Sequence, residues 1–219
     1  MNMVAALVEI LVAYLLGSIP SAVWIGKMLY GIDVRQHGSG NAGATNVIRV
    51  LGYKAGIPVL LVDVFKGWMA VSVGVFLPVT GLGPEWRQYL LIVMGMAAVL
   101  GHVFPVFAGF RGGKGVGTMA GVGIALYPLA ILVVLGLFIL VLASTRYVSL
   151  SSILAAITFP LVVWFVTGVR HPGLVGLSVA IAVFIPFTHR KNIGRLLRGE
   201  ERRFDFTRKN GNAGPGITN

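Results

Sequence analysis

Residues 117–143 read GTMAGVGIALYPLAILVVLGLFILVLA, one apolar run with a Tyr-Pro step inside it. How this run crosses a bilayer decides the fold. Its length would suit a single helix, because the hydrocarbon core takes ~20 helical residues. The flanking charges argue otherwise. Arg111 and Lys114 precede the run and Arg146 follows it, and basic residues collect on the cytoplasmic side of a membrane. One crossing would place Arg146 and the basic chain end outside. Tyr127-Pro128 offers a break, since proline lacks a backbone donor and disfavours helix in the residue before it. The run is therefore expected to enter and return as a hairpin. Its arms of about 10 and 15 residues fall short of a full span.

Outward from this hairpin, further apolar runs lie at 4–26, 55–79, 88–108, 150–168 and 172–188. The loop 27–54 carries Lys27, Arg35, Arg49 and Lys54. With the hairpin in place, these residues, Arg111, Lys114, Arg146 and the basic end share one side, and only Arg87 and Arg170 face the other. The expected fold is all-α: a polytopic integral membrane protein of about seven transmembrane helices, N-terminus outside and C-terminus cytoplasmic. Val4 to Ile25 reads as a span and not a signal peptide, because it lacks a basic leader, contains Glu9 and is too long. Residues 1–203 are expected to form one membrane-embedded domain, and 204–219 a disordered cytoplasmic tail.

Composition agrees with lipid as the solvent. Of 219 residues 56% are hydrophobic and 11% charged, against about 25% charged in soluble domains; mean hydropathy is +0.86. The net charge of +11 is concentrated near the C-terminus, in Arg190, Lys191, Arg195, Arg198, Arg202, Arg203, Arg208 and Lys209. That placement fits a cytoplasmic anchor in contact with anionic lipid and argues against nucleic acid as a partner. There is no cysteine, which removes disulfides, thiolate nucleophiles and Cys-based metal sites.

Four polar motifs fall on the same expected side. The first, Gly38 to Asn46 with Arg49, combines backbone freedom at Gly38, Gly40 and Gly43 with neutral donors on Ser39, Asn41, Thr45 and Asn46. Arg49 adds a two-pronged guanidinium suited to phosphate. The second runs from Gly101-His102 to Thr118. Gly112, Gly113 and Gly115 surround Lys114 where a helix opens, so an anion nest with exposed N–H groups is expected. It is not a nucleotide-hydrolysing P-loop, because Ala108 and Gly115 stand where glycine and a hydroxyl residue are required. The third is Ser144 to Ser152, and the fourth His189 to Arg195. Asp63 and Lys66, spaced i, i+3 inside an apolar run, form an intramembrane pair that is either functional or structural.

These motifs, in this order from Gly17 to Gly199, resemble the bacterial membrane acyl-phosphate:glycerol-3-phosphate acyltransferases (the PlsY family). Ser-Gly-Asn-x-Gly-Ala-Thr-Asn and Gly-His-x-Phe-Pro-x-Phe with Gly-Gly-Lys-Gly-Val carry the resemblance most specifically. Arg111 and Gly117 depart from the pattern, where lysine and alanine are expected. The resemblance implies acyl transfer from acyl phosphate to the 1-position of glycerol 3-phosphate, giving lysophosphatidic acid, at the cytoplasmic side of the bacterial inner membrane. It implies as site residues Ser39, Asn41, Arg49, His102, Gly113, Lys114, Thr118, Arg146, Ser149, His189 and Asn192. A soluble enzyme that makes acyl phosphate is the implied partner, beside membrane lipids.

The residues suit such chemistry on their own terms. A mixed anhydride arrives activated, so no acyl-enzyme, ATP, cofactor or metal is expected; the needs are two anion sites, oxyanion donors and an apolar slot. No His-x4-Asp dyad is present, as acyl-CoA-dependent glycerolipid acyltransferases would require. Ser39, Asn41, His102 and Lys114 are the expected catalytic set. Gly40, Thr45, Asn46, Arg49, Gly112, Gly113, Gly115, Thr118, Arg146, Ser149, His189 and Asn192 are the expected substrate and phosphate contacts. The competing reading is a transporter for a phosphorylated metabolite. It would bury polar groups near mid-membrane in paired halves, whereas these cluster on one face.

Overall fold

The computed structural model describes residues 3–76 and 82–206, and within them regular structure is entirely helical. In chain order the α-helices are α1 (Met3–Gly17), α2 (Ser21–Tyr30), α3 (Ala44–Leu51), α4 (Tyr53–Phe76), α5 (Pro84–Val103), α6 (Val116–Leu126), α7 (Pro128–Thr145), α8 (Val148–Leu161), α9 (Pro172–Thr188) and α10 (Arg190–Leu197). Four segments are long and apolar enough to cross a membrane: Tyr53–Phe76, Pro84–Ala108, Pro128–Thr145 and Val148–Val166. α1 with α2, bent by 41°, and α9 with α10, bent by 61°, qualify as pairs.

The 117–143 run is broken at the Tyr-Pro step. Tyr127 leaves helical geometry (φ −141°, ψ 55°) and Pro128 opens α7. The arms are 11 and 18 residues long. The short arm, α6, packs intimately along α4. A Cβ on Gly67 would stand 2.1 Å from the Thr118 carbonyl oxygen, and one on Gly121 1.9 Å from that of Val64. Small residues give this contact because helices in lipid associate through close van der Waals packing, without a hydrophobic drive. The N-terminus of α6, where Lys114 enters, is thereby seated on α4 beside Asp63.

The chain end departs from expectation. Phe204 and Asp205, assigned by the sequence reading to a separate tail, lie against the bundle. The Phe204 N–H donates to the Arg146 carbonyl (2.6 Å), the Tyr53 hydroxyl to the Asp205 carbonyl (2.8 Å), and the Phe204 ring meets Tyr53 edge-on at 6.0 Å. The edge-on aromatic contact and the carbonyl at the end of α7 hold this strap, residues 198–206, against the bundle. Residues 207–219, the rest of the expected tail, lie outside the described residues.

Candidate functional site

The first motif is a loop folded around one buried amide. Asn46, 2% exposed, accepts from the Ser39 N–H (2.8 Å) and hydroxyl (3.0 Å). It donates to the carbonyls of Val34 (2.9 Å) and His37 (3.1 Å). Its hydrogen-bonding capacity therefore goes into shaping the loop and orienting Ser39, which stays exposed. Arg35, read from sequence only as a topological charge, staples this loop to the second motif. It pairs with Asp33 through two contacts (2.9 and 2.7 Å) and donates to the carbonyl of Ala108 (2.7 Å). Thr45 and Arg49 lie on α3, both half-buried, and Asn41 is half-buried just before it.

The second motif differs from the expected nest in which amides it offers. The Gly112 and Gly113 N–H groups are not free. They donate to the carbonyls of Val103 (3.1 Å) and His102 (3.2 Å), folding the loop onto the end of α5. What these glycines supply is closeness: a Cβ on Gly113 would lie 2.2 Å from His102 Nε2. Gly115, at φ +83°, caps α6 in the left-handed region that glycine adopts without strain. The first α6 ladder bond runs from Met119 N–H to the Gly115 carbonyl. Among the described residues the amides of the first turn, at the positive helix end, meet no protein acceptor. Thr118 is fully buried, and its hydroxyl meets no protein partner among the described residues.

Lys114 links this cradle to the last two motifs. Its ammonium donates to Asn192 Oδ1. The Asn192 amide donates to Glu201 Oε1 at 2.5 Å, Ser149 Oγ donates to the same oxygen at 2.8 Å, and Arg195 Nε to Oε2 at 2.7 Å. Glu201 is the residue that sequence reasoning missed; it sits just beyond the fourth motif and reaches the site only because the strap folds back. Burial alone would raise its carboxyl, but hydrogen bonds from Arg195, Asn192 and Ser149 outweigh burial and hold it below the ordinary range. Burial pushes the Lys114 ammonium down to about 8, with Glu201 pulling against it and Arg195 and Arg49 adding to it. Arg49 too is lowered chiefly by burial.

His189 is buried at the start of α10. Its Nδ1 lies 2.8 Å from the Ile185 carbonyl, which can only accept, so Nδ1 carries the proton and Nε2 is an acceptor. Burial, with Lys114 nearby, pushes this ring down to about 4, so it is neutral at pH 7. Arg146 stands apart, exposed in left-handed geometry at φ +62°, beside an open cleft that Ser144, Thr145, Tyr147 and Arg203 also line. Arg49, Lys114, Ser149, His189 and Asn192 thus share one neighbourhood with Glu201 and Arg195. Among the described residues no three His, Cys, Asp or Glu side chains gather in a way that could hold a metal.

Residues 7–199 match the family described as glycerol-3-phosphate acyltransferase. A relative of that name from Chlorobaculum tepidum is 47% identical over 232 residues, covering 95% of this chain and all of that one. One from Chlorobaculum parvum is 46% identical over 231 residues, covering 94% of this chain and 100% of the relative. Among solved structures, the glycerol 3-phosphate form of PlsY, an integral membrane glycerol 3-phosphate acyltransferase, superposes with a TM-score of 0.81 at 40% identity, covering 92% of this chain and 96% of that one. The lysophosphatidic acid form of PlsY gives 0.78 over the same shares.

Proposed function

Because the chain belongs to the glycerol-3-phosphate acyltransferase family, we propose that Lys114, Arg49 and the α6 N-terminus bind phosphate groups while acyl phosphate gives its acyl chain to glycerol 3-phosphate. The observation that carries this is the convergence of Lys114, Asn192, Ser149 and His189 beside Arg49. Two partly desolvated cations set together, Lys114 and Arg49, match a phosphate's charge, while Asn192 and Ser149, bound to Glu201, hold the site's shape.

In the reaction the 1-hydroxyl oxygen of glycerol 3-phosphate forms a bond to the acyl carbon, and the bond from that carbon to the phosphate oxygen breaks. Ser39 and Asn41, on the neighbouring loop, orient the reacting groups. The hydroxyl proton goes to the phosphate group, whose second ionisation lies near pH 6. His189, neutral with Nε2 free to accept, and His102 orient groups. Replacing His102 by glutamine is accordingly expected to leave measurable turnover, where removal of a true base would cost about 10²–10⁴-fold. A loss of that size with glycerol 3-phosphate affinity intact would make His102 the base.

The fold is read as seven membrane helices: α1 with α2, α4, α5, the short α6, α7, α8 and α9, with α3, α10 and the strap at the cytoplasmic surface. A soluble source of acyl phosphate completes the scheme. Single cysteines at Gly38, Thr145 and Glu200 are expected to react with an impermeant reagent only from the cytoplasm, and one at Gly168 only from outside. Labelling of the Thr145 position from outside would remove the hairpin.

Purified protein given acyl phosphate and glycerol 3-phosphate alone is expected to make lysophosphatidic acid and inorganic phosphate in equal amounts. Chelator has no effect and acyl-CoA does not substitute. Transfer that requires ATP, metal or acyl-CoA overturns the donor assignment.

A further inference from the structure

Asp63 and Lys66 lie within α4, each 3% exposed, in a helix long and apolar enough to span the membrane. An ion pair there carries a large desolvation cost unless its remaining hydrogen-bonding capacity is met. The way it is met is specific. Asp63 Oδ1 accepts from Lys66 Nζ (2.8 Å) and from Ser21 Oγ (2.8 Å), and His102 Nδ1 stands 3.5 Å from the same oxygen. Lys66 also donates to the Ile19 carbonyl (2.7 Å) in the α1–α2 break, an acceptor it shares with the Ser21 N–H (3.1 Å).

A purely structural pair would tie helices together anywhere along α4. This one meets the cradle. His102 Nε2 abuts Gly113, the Gly113 N–H returns to the His102 carbonyl, and a Cβ on Gly117 would come 3.1 Å from Asp63 Cβ. A cavity of ≈ 10 Å³ joins Ser21, Asp63, Lys66 and His102 to Gly112 and Gly113. His102 Nδ1 is buried and makes no hydrogen bond among the described residues, and the Asp63 carboxylate at 3.5 Å is the acceptor that faces it. The ring is therefore oriented from one side by a carboxylate and from the other by the loop that delivers Lys114.

We propose that Asp63, with Lys66 as its counter-ion, is a positioning residue for acyl transfer: it holds His102 with the proton on Nδ1 and the Nε2 lone pair at the Gly112–Gly113 turn. The pair thereby sets the ring against which the Lys114 cradle rests. Lys66 keeps the carboxylate charged without a second proton, and Ser21 ties the arrangement to the helix that leads into the first motif.

The inference rests on the acyl-transfer reading for its kinetic consequences but not for its tautomer, so two measurements separate them. In wild-type protein labelled with ¹⁵N-histidine, the signal lost in His102→Gln is expected to report a neutral ring protonated at Nδ1. A ring protonated at Nε2 overturns the proposal, whether or not the protein transfers acyl groups. The second measurement is a double-mutant cycle between His102→Gln and the charge-neutral pair Asp63→Asn with Lys66→Gln, which removes the buried unpaired lysine that Asp63→Asn alone would leave. With His102 present, the neutral pair lowers kcat by roughly tenfold, the scale of coupling between residues in contact, and leaves KM for glycerol 3-phosphate within about twofold. In the His102→Gln background the same pair has little further effect. Wild-type kcat in the neutral pair, or effects that simply multiply, would reduce Asp63 and Lys66 to a structural ion pair.

Discussion

Replacing Lys114 by alanine or glutamine leaves a folded protein whose acyl transfer falls by roughly ten- to a hundredfold, since a charge-assisted hydrogen bond is worth about 1.5–3 kcal/mol. Folding survives because burial disfavours the ammonium, as its descent to about 8 records; a neutral side chain there relieves that cost. Binding suffers because, on the proposed reading, that ammonium is the group that meets the substrate's phosphate, in a partly desolvated site. The pH dependence follows with a definite sign. Below about 8 the lysine is protonated in the free protein and can bind a dianion; above it the proton leaves and kcat/KM falls. The charged groups that act on it are Glu201, Arg195 and Arg49, with His189 neutral beside it at pH 7. In Lys114→Arg the charge persists at every accessible pH, so the alkaline limb near 8 disappears even if turnover is lower. Near-normal turnover in Lys114→Gln would mean that the cradle binds no substrate charge.

Glu201→Ala has the other large effect, and it reaches both stability and activity. The carboxylate accepts from Ser149, Asn192 and Arg195 at once, and its side chain is 8% exposed. Truncation leaves three donors without their acceptor; the two buried ones, Ser149 and Asn192, each cost about 1–3 kcal/mol when unmet, while the partly exposed Arg195 can turn to solvent. It also frees the Asn192 amide, whose orientation is set by donating to Glu201 and accepting from Lys114. Loss of the anchor is expected to lower thermal stability clearly and to raise KM for glycerol 3-phosphate. Glu201→Gln is the milder change. It keeps an oxygen for Asn192 and Ser149 but turns an amide N–H₂ toward the Arg195 donor. Thermal melting in detergent and KM measured on both variants decide the matter: a wild-type melting curve and KM in Glu201→Ala would exclude the anchor.

Much of the membrane architecture could be read from the residues because lipid imposes simple rules. The Tyr127-Pro128 break followed from charge balance and proline geometry, and it lies where α6 gives way to α7. Short-range consequences were harder. Asn46 looked like one donor among several, yet its burial makes it the hub of its loop, and burial cannot be read from a polar motif. The Gly112 and Gly113 amides looked available, but whether an N–H is free depends on which carbonyl the folded chain brings back. Here it is that of α5's last turn.

By itself the sequence determined the helical class, the apolar run that breaks at a proline, and the position of four polar motifs along the chain. These depend on composition and on neighbours a few positions apart, which the chain carries before it folds. Tertiary structure alone decided that Glu201 joins Ser149, Asn192 and Arg195, separated from Ser149 by 52 positions, and that Arg35 crosses 73 positions to hold the second motif. It also decided that Asp63 lies beneath His102. No local pattern encodes such meetings, because a buried charge chooses its partner from whatever the packed helices bring within hydrogen-bond reach.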